Sequence, residues 1–412
     1  MSGFKSLLKK VSPASVQVVS RLVENGYEAY LVGGAVRDLL LGCVPKDYDI
    51  TTNATPEEVR AVFGRRNCMV IGRRFRLAQV RVGGEEFEVS TFRRKPSQEE
   101  RKGRDDDDGM MIWNDNEYGT LEDDVSRRDF TVNALYMDLV GKRGIIDFTG
   151  GMDDLKAGIV RTVGDPEVRF EEDPVRMLRA LKLVGQHGFS LESETAAALE
   201  RKRGMISLSS VARLYEELLK IFFTGKSLRI LTAFHEHGFL THFWPSLEEI
   251  WDTYEGMITL RLLKLRDVEI ASGNYSDSKA LALATACLPV AMRAMCPEDG
   301  EEDNANLGDR GRLCMDVVRD FYGKFIVPRL YTIRVKEILM LIPLLSTPDL
   351  APRYYHHREY RYGRLLLVLL AKAMRWNPDI YESLPEPETA TVLPLMSIPL
   401  DFSNSSVKYR RP

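Results

Sequence analysis

Two aspartates one residue apart, Asp47 and Asp49, carry the sharpest chemical signal in the sequence. Side chains alternate along a strand, so residues two apart share a face. Carboxylates held side by side repel each other unless a cation lies between them, which makes D-x-D a Mg²⁺ site suited to phosphoryl or nucleotidyl transfer. Alone, the same pattern also reads as a surface turn. Upstream lie Gly33 and Gly34, between a predicted strand and a predicted helix. Glycines there let backbone N–H groups approach phosphate oxygens at a helix N-terminus. Arg37, one turn into that helix, can add a charge-assisted fork to the same phosphates. The competing reading is a tight strand–helix turn with Arg37 on a solvated face. The glycine pair, the arginine and D-x-D within one short unit favour the phosphate site. Asp173 and Arg176, three apart on a predicted helix, share a face. Without context they read as a surface ion pair.

The elements that must position these groups are mixed α/β over the first third of the chain. Ala29–Val32 reads as a short strand, Ala35–Leu41 as a helix ended by Gly42, and Lys46–Thr52 as a second strand. Pro56 opens another helix, and Leu77–Val82 and Glu86–Phe92 flank Gly83-Gly84 as a hairpin. Arg93–Asn116, with Pro96 and the run Asp105–Asp108, reads as a charged loop whose aspartates are solvated rather than metal-binding. From Pro174 onward apolar residues recur at helical spacing (Val175, Met177, Leu178, Leu181), and helical patterns continue through Tyr215–Phe223, Leu228–His235, Thr259–Leu265 and Lys279–Ala294. Pro385–Pro399 is proline-rich and irregular, and no internal repeat is evident.

Composition bounds the function classes. At 412 residues, 44% hydrophobic and 28% charged, the chain has the balance of a globular protein of two or three domains, not of a disordered, collagenous or disulfide-scaffold one. The net charge of −3 requires any nucleic-acid contact to come from local basic patches. Five scattered cysteines without a C-x-x-C pair fit reduced thiols rather than a disulfide frame or a zinc site. The N-terminus lacks an apolar signal-peptide core, and the longest apolar stretch, Leu365–Ala371, is too short for a membrane span. The expected location is the cytoplasm.

Five ordered segments make the chain recognisable. Leu31-Val-Gly-Gly-Ala-Val-Arg-Asp38 with Lys46-Asp-Tyr-Asp49 resembles the first motif of the class II tRNA nucleotidyltransferase and bacterial poly(A) polymerase family. Arg127-Arg-Asp-Phe-Thr-Val-Asn-Ala-Leu135 is similar to its second motif, Asp147-Phe-Thr-Gly-Gly-Met-Asp-Asp-Leu155 to its third, Glu172-Asp-Pro-Val-Arg176 to its E-D-x-x-R motif and Arg213-Leu-Tyr-Glu-Glu217 to its last. The resemblance spans roughly Glu28 to Phe223 and implies an α+β fold. A nucleotidyltransferase head over 1–155, with a small mixed sheet, would precede a helical neck with base recognition and RNA binding over 156–250. A helical body and tail over 251–412 would follow. It implies that Asp47 and Asp49 bind Mg²⁺ and align an RNA 3′-hydroxyl with the α-phosphate of the nucleotide. Gly33, Gly34 and Arg37 would then hold the triphosphate, while Arg128 and Asn133 contact sugar or phosphates. Asp129 would be a further catalytic acid, with Glu88 as the other candidate for a third carboxylate or, equally, a cross-strand partner for a basic residue. Asp173 and Arg176 would present a hydrogen-bonding edge to the incoming base, replacing a template. Gly150-Gly151 would be a hinge, or a simple turn.

Poly(A) addition and CCA addition share all five motifs. Val70-Ile-Gly-Arg-Arg-Phe-Arg-Leu-Ala-Gln-Val80 resembles the pattern of the poly(A) polymerases, as does the Gly109–Glu122 stretch, and the expectation is an adenylyltransferase that adds AMP from ATP to RNA 3′ ends, of mRNA or tRNA. Arg73 and Arg74 in the first stretch could bind RNA phosphates. The chain ends at Lys408-Tyr-Arg-Arg-Pro412, without the long basic tail of many bacterial poly(A) polymerases. A substitute is Arg353, Arg358, Arg361 and Arg364, interleaved with Tyr354, Tyr355, Tyr360 and Tyr362, where arginines could hold phosphates and tyrosines stack on bases. The same run also reads as a docked amphipathic helix. Histidines 235, 237 and 242 suggest packing rather than a metal site. CCA addition and an RNA-binding module with an inactive head are the alternatives.

Overall fold

The computed structural model describes residues 7–72, 76–94, 117–141, 143–275, 278–295, 307–377 and 379–386. Arg73, Arg74, Asp105–Asp108, the stretch 109–116 and the C-terminal Lys408–Pro412 lie outside the described residues. The chain divides into two units, Met1–Ile206 and Ser207–Pro412.

The first unit is built on a seven-stranded mixed sheet. Helix α1 (Pro13–Glu24) precedes β1 (Ala29–Val32), α2 (Gly34–Leu40), β2 (Asp49–Thr52), α3 (Pro56–Phe63), β3 (Cys68–Ile71), β4 (Leu77–Val82) and β5 (Glu85–Thr91). Then follow α4 (Leu121–Arg127), a 3₁₀ turn (Thr131–Asn133), β6 (Leu135–Met137) and β7 (Ile145–Asp147). The spatial order is β3-β4-β5-β2-β1-β6-β7, antiparallel throughout except for the parallel β2–β5 pair. Gly83 and Gly84, both at positive φ, make the expected β4–β5 hairpin, which antiparallel strands this close require. Tyr30, Val32, Phe92, Leu121, Val125, Ala134 and Tyr136 form a buried cluster beside β1 and β6.

The second strand is shorter than the alternation of Asp47 and Asp49 implies. Only Asp49 belongs to β2, because its partner runs out: Val32, the last residue of β1, pairs with Asp49, and at Gly33 the chain turns away into α2. Asp47 precedes the strand, outside any regular element, and is exposed.

Beyond the sheet, α5 (Gly151–Ala157), β8 (Ile159–Val160), α6 (Pro166–Glu172), α7 (Val175–His187), β9 (Ser190–Leu191) and α8 (Ser193–Lys202) complete the first unit, with β8 and β9 a small parallel pair. The second unit is helical, and the expected helical stretches fall within or against Val211–Phe222, Ser227–Glu236, Tyr254–Ala271 and Lys279–Met295. Its aromatic centre is the fully buried Trp244, whose indole donates to the Phe321 carbonyl at 2.8 Å while Phe222, Phe321, Tyr322 and Phe325 surround the ring. His235 stacks on Trp251 at 4.3 Å and bonds Glu248 at 2.9 Å, a packing role. Among the described residues no helix is long and apolar enough to cross a membrane.

Candidate active site

Gly33 caps α2 with φ 74° and ψ −136°, a conformation that side-chain-bearing residues rarely adopt. Its N–H bonds the Leu135 carbonyl at 3.2 Å, which ties the loop to β6. Arg37 is 8% exposed, so the solvated-face reading fails. Its Nε and Nη2 donate to Asp38 Oδ1 at 2.9 and 2.7 Å, and its Nη1 donates to Asn133 Oδ1 at 2.7 Å. The guanidinium folds back over Gly34, with Nη2 3.4 Å from where a Cβ would stand. Asn133 in turn donates to Asp129 Oδ1 at 3.1 Å, and the same oxygen accepts the Phe130 N–H at 2.8 Å. The other Asp129 oxygen lies 3.8 Å from Arg179. Thus Arg37, Asn133 and Asp129, drawn from two separate sequence motifs, form one connected chain. Arg37 in this arrangement braces the loop; its hydrogen-bonding edges are engaged with protein.

Arg128 occupies the adjacent position. Its Nη2 donates to Asp124 Oδ2 at 2.8 Å and its Nε to the Tyr136 hydroxyl at 3.3 Å, and its guanidinium lies 5.4 Å from the Tyr136 ring centroid. The Tyr136 hydroxyl donates to the same Asp124 oxygen at 2.8 Å. Burial disfavours the Arg128 cation, but Asp124 and Tyr136 outweigh it and hold the group above its ordinary value. With these two edges engaged, Nη1 lies 3.7 Å from the position a Cβ on Gly33 would take. Next to it, Arg127 is pushed down to about 10 by burial and by Arg93, Arg169, Arg176 and Arg128. Cations crowded this way favour a polyanion among them.

The carboxylates stand at the end of β2. Ile50 pairs with Val89 in the parallel ladder, so Asp49 and Glu88, each one residue earlier, emerge on the same face of adjacent strands. Asp49 has an accessible surface yet is crowded by protein on its other sides. Burial raises its pKa, Glu88 and Asp47 raise it further, and Arg128 acts in the opposite sense. Glu86, on the same strand face as Glu88, is engaged with Arg81 and with Gln79 at 3.0 Å. Among the described residues no three His, Cys, Asp or Glu side chains converge to cage a metal. The donor set nonetheless fits Mg²⁺, which takes one or two carboxylates and fills its shell with phosphate oxygens and water. Asp47 and Asp49 supply hard oxygens, and the repulsion raising Asp49 is what a dication relieves.

The E-D-x-x-R segment departs from the expected single helix. Asp173 lies between α6 and α7 with φ −153°, because the residue before a proline avoids helical conformation, and Pro174 starts the next helix. Its carboxylate caps α7 by accepting the Val175 N–H at 3.1 Å. Arg176 does not share a helix with Asp173; it pairs with Glu172 at 3.0 Å and bonds the Arg169 carbonyl at 2.8 Å. In the third motif, Asp147 accepts the N–H groups of Thr149, Gly151 and Met152 at 2.9–3.0 Å and so caps α5. A Cβ on Gly151 would lie 2.2 Å from the Thr131 carbonyl oxygen. Gly151 is therefore close-packed against the 3₁₀ turn, whereas Gly150, at φ 76°, has open space around it.

The basic run of the second unit is largely absorbed by packing. Arg358 forks onto Glu337, and Arg364 bonds the Leu384 carbonyl at 3.3 Å and Glu386 at 2.7 Å. Tyr354 and Tyr360 are buried, and Arg334 lies over the Tyr362 ring. Arg353 and Arg361 are exposed. Sequence reasoning missed Asp124, Tyr136 and Arg169. Asp124 and Arg128, one turn apart on the α4 segment, were the available signal; the Tyr136 and Arg169 contacts have no sequence signature.

Residues 29–161 match the family described as "Poly A polymerase head domain", and residues 188–250 match "Probable RNA and SrmB- binding site of polymerase A". The chain is 36% identical to poly(A) polymerase I of Salmonella typhi over 88% of this chain and 79% of that one. It is 32% identical to the CCA-adding enzyme of Bacillus pumilus over 66% of this chain and 71% of that one. The structure of the Bacillus stearothermophilus CCA-adding enzyme in complex with CTP is similar at TM-score 0.63 and 26% identity, covering 91% of this chain and 82% of that one. These similarities show that the chain belongs to the poly(A) polymerase and CCA-adding enzyme family of nucleotidyltransferases.

Proposed function

We propose that this chain adds AMP units from ATP to RNA 3′ ends without a template, releasing pyrophosphate. The observation that carries this reading is the sequence similarity to poly(A) polymerase I, 36% identity through 88% of the chain, against 32% through 66% for the CCA-adding enzyme of Bacillus pumilus. In the reaction the 3′-hydroxyl oxygen bonds to the α-phosphorus as the bond between that phosphorus and the β-phosphate oxygen breaks. Bound Mg²⁺, held by Asp47 and Asp49, would supply charge neutralisation at the transferring phosphate. Glu88 adds a third negative charge beside that pair. The triphosphate lies against the Gly33–Gly34 loop, where the Nη1 edge of Arg128 and the positive field around Arg127 stabilise the departing pyrophosphate. Arg37 and Asn133 hold the loop, and Asp129 orients Asn133. Asp173 and Arg176 face the base and select adenine by its hydrogen-bonding edge.

CCA addition is the second reading, favoured by the similarity to the CTP-bound CCA-adding enzyme. An extension assay separates the two: single-stranded RNA and a tRNA lacking its CCA end, each with Mg²⁺ and with ATP and CTP alone or together. Long ladders from ATP alone on either RNA are expected. Growth by three residues, only on tRNA and only with both nucleotides, would establish CCA addition instead. The Asp47→Ala/Asp49→Ala variant should show no extension, and product from it would sink the proposed metal site.

A further inference from the structure

Arg169 belongs to no expected site, yet it touches both halves of the one described above. It is 2% exposed, in the middle of α6, where a charged side chain needs dedicated partners. Its Nη2 donates to the backbone carbonyls of Arg127 and Arg128, each at 2.6 Å, across more than forty residues of chain. Its Nη1 donates to Glu172 Oε2 at 2.5 Å, and that same oxygen accepts Arg176 Nη1 at 3.0 Å. Arg176 Nη1 also bonds the backbone carbonyl of Arg169 itself. One planar guanidinium therefore holds the main chain that carries the phosphate-facing Arg128 and the carboxylate that orients the base-facing Arg176.

The geometry points to Arg169 as a specificity-positioning residue: through Arg127 and Arg128 on one side and Glu172 on the other, it fixes the spacing between the triphosphate and the base-reading edge. The inference rests on the reading of Arg128 as phosphate-facing and Arg176 as base-facing. A base that does not match the Asp173–Arg176 edge displaces Arg176. Because Glu172 and Arg169 are bonded to it and to the Arg128 backbone, that displacement misplaces the α-phosphate relative to the 3′-hydroxyl. Discrimination then arises in the catalytic step as well as in binding, since small misplacement of reacting atoms is costly. Lysine cannot replace this fork, because a single ammonium lacks the planar pair of edges that reaches two carbonyls and a carboxylate at once.

The test uses the full-length protein with Mg²⁺ and a single-stranded RNA primer, and measures kcat and KM separately for ATP, CTP and GTP. Arg169→Lys is expected to lower kcat for ATP and to shrink the ATP preference over CTP and GTP by roughly ten- to a hundredfold, mainly in kcat. Glu172→Gln, which weakens the same bridge from its more exposed end, should relax discrimination in the same direction and serves if Arg169→Lys does not fold. Arg176→Gln separates the bridge from the site it rests on. Relaxed discrimination in Arg176→Gln with unchanged discrimination in folded Arg169→Lys and Glu172→Gln would overturn the bridge alone. Unchanged discrimination in Arg176→Gln would overturn the base-edge reading, and the bridge with it. A loss of thermal stability in Arg169→Lys with the nucleotide preference intact would leave Arg169 a purely structural residue and overturn the inference.

Discussion

Arg37 donates a 2.7 Å hydrogen bond to the side-chain oxygen of Asn133, joining the helix that follows β1 to the 3₁₀ turn that precedes β6. The bond links the glycine loop to the segment that carries Asp129 and Arg128, so the proposed phosphate site is braced from both ends.

Removing that brace should affect catalysis more than folding. Asn133→Ala leaves Arg37 its bonds to Asp38 but frees the loop from the 3₁₀ turn. The expected loss in kcat/KM for ATP is roughly a hundredfold, with a stability cost of about 1–2 kcal/mol. Steady-state extension kinetics and a denaturant titration on the same preparation measure the two, and a stability loss without a kinetic one would refute the bracing role.

Asp124 and Tyr136 aim Arg128, and their removal should have graded effects. Tyr136→Phe loses one hydroxyl and is expected to cost about 1 kcal/mol of transition-state binding, close to fivefold in kcat/KM. Asp124→Ala leaves Arg128 and the Tyr136 hydroxyl without their shared acceptor and should destabilise the fold by about 2–3 kcal/mol. The ordering Asp124→Ala worse than Tyr136→Phe is the checkable content, in both kinetics and unfolding.

The two adjacent glycines of the third motif should respond differently to alanine. Gly150 sits at φ 76° with open space around it, so alanine costs only backbone strain, about 1 kcal/mol. A methyl at Gly151 collides with the Thr131 carbonyl, and the cost should be about 3 kcal/mol or more. Unfolding midpoints of the two variants measure the difference; equal effects would mean that the joint is pliable.

Acid should remove a contribution from Glu192. Burial alone would raise its pKa, but the N–H groups of Glu194 and Thr195 and the hydroxyls of Ser193 and Thr195 bring it down to about 2 while it caps α8. A carboxylate depressed in the folded state stabilises fully above its unfolded pKa and loses that contribution as pH falls toward the folded one. Glu192→Ala should therefore cost about 1–2 kcal/mol at pH 7. The difference from the parent should shrink as pH drops below about 4.5 toward 2. Denaturant titrations at stepped pH follow it, and a constant gap would show that the charge is not what caps the helix.

Local signals in the sequence read well where local physics decides. Ala29–Val32 is a strand to the residue, and Gly83-Gly84 turns the hairpin because only glycine takes both positive φ values cheaply. The helix expected over Ala35–Leu41 spans Gly34–Leu40, between Gly33 and Gly42, both at positive φ. Asp47, Asp49, Gly33 and Arg37 carry a chemical signal by type and spacing alone, whereas Asn133 and Asp129 stand out only through the family resemblance. β2 starts later than the D-x-D alternation predicts because strand length depends on the partner, and β1 ends at Val32.

The inventory is legible in the chain alone: a carboxylate pair, a glycine loop, a basic second motif and an E-D-x-x-R segment in a recognisable order, on an α+β head followed by helices. Tertiary structure alone decided how each group is used. It buried Arg37 and turned it toward Asn133, set Glu88 beside Asp49 through the register of a parallel ladder, and split Asp173 from the helix of Arg176 at Pro174. It also placed Arg169 against the carbonyls of Arg127 and Arg128. The reason is that hydrogen-bond partners distant in sequence, and the desolvation that shifts a pKa, are properties of the packed chain: no local pattern of residue types encodes which buried donor meets which acceptor.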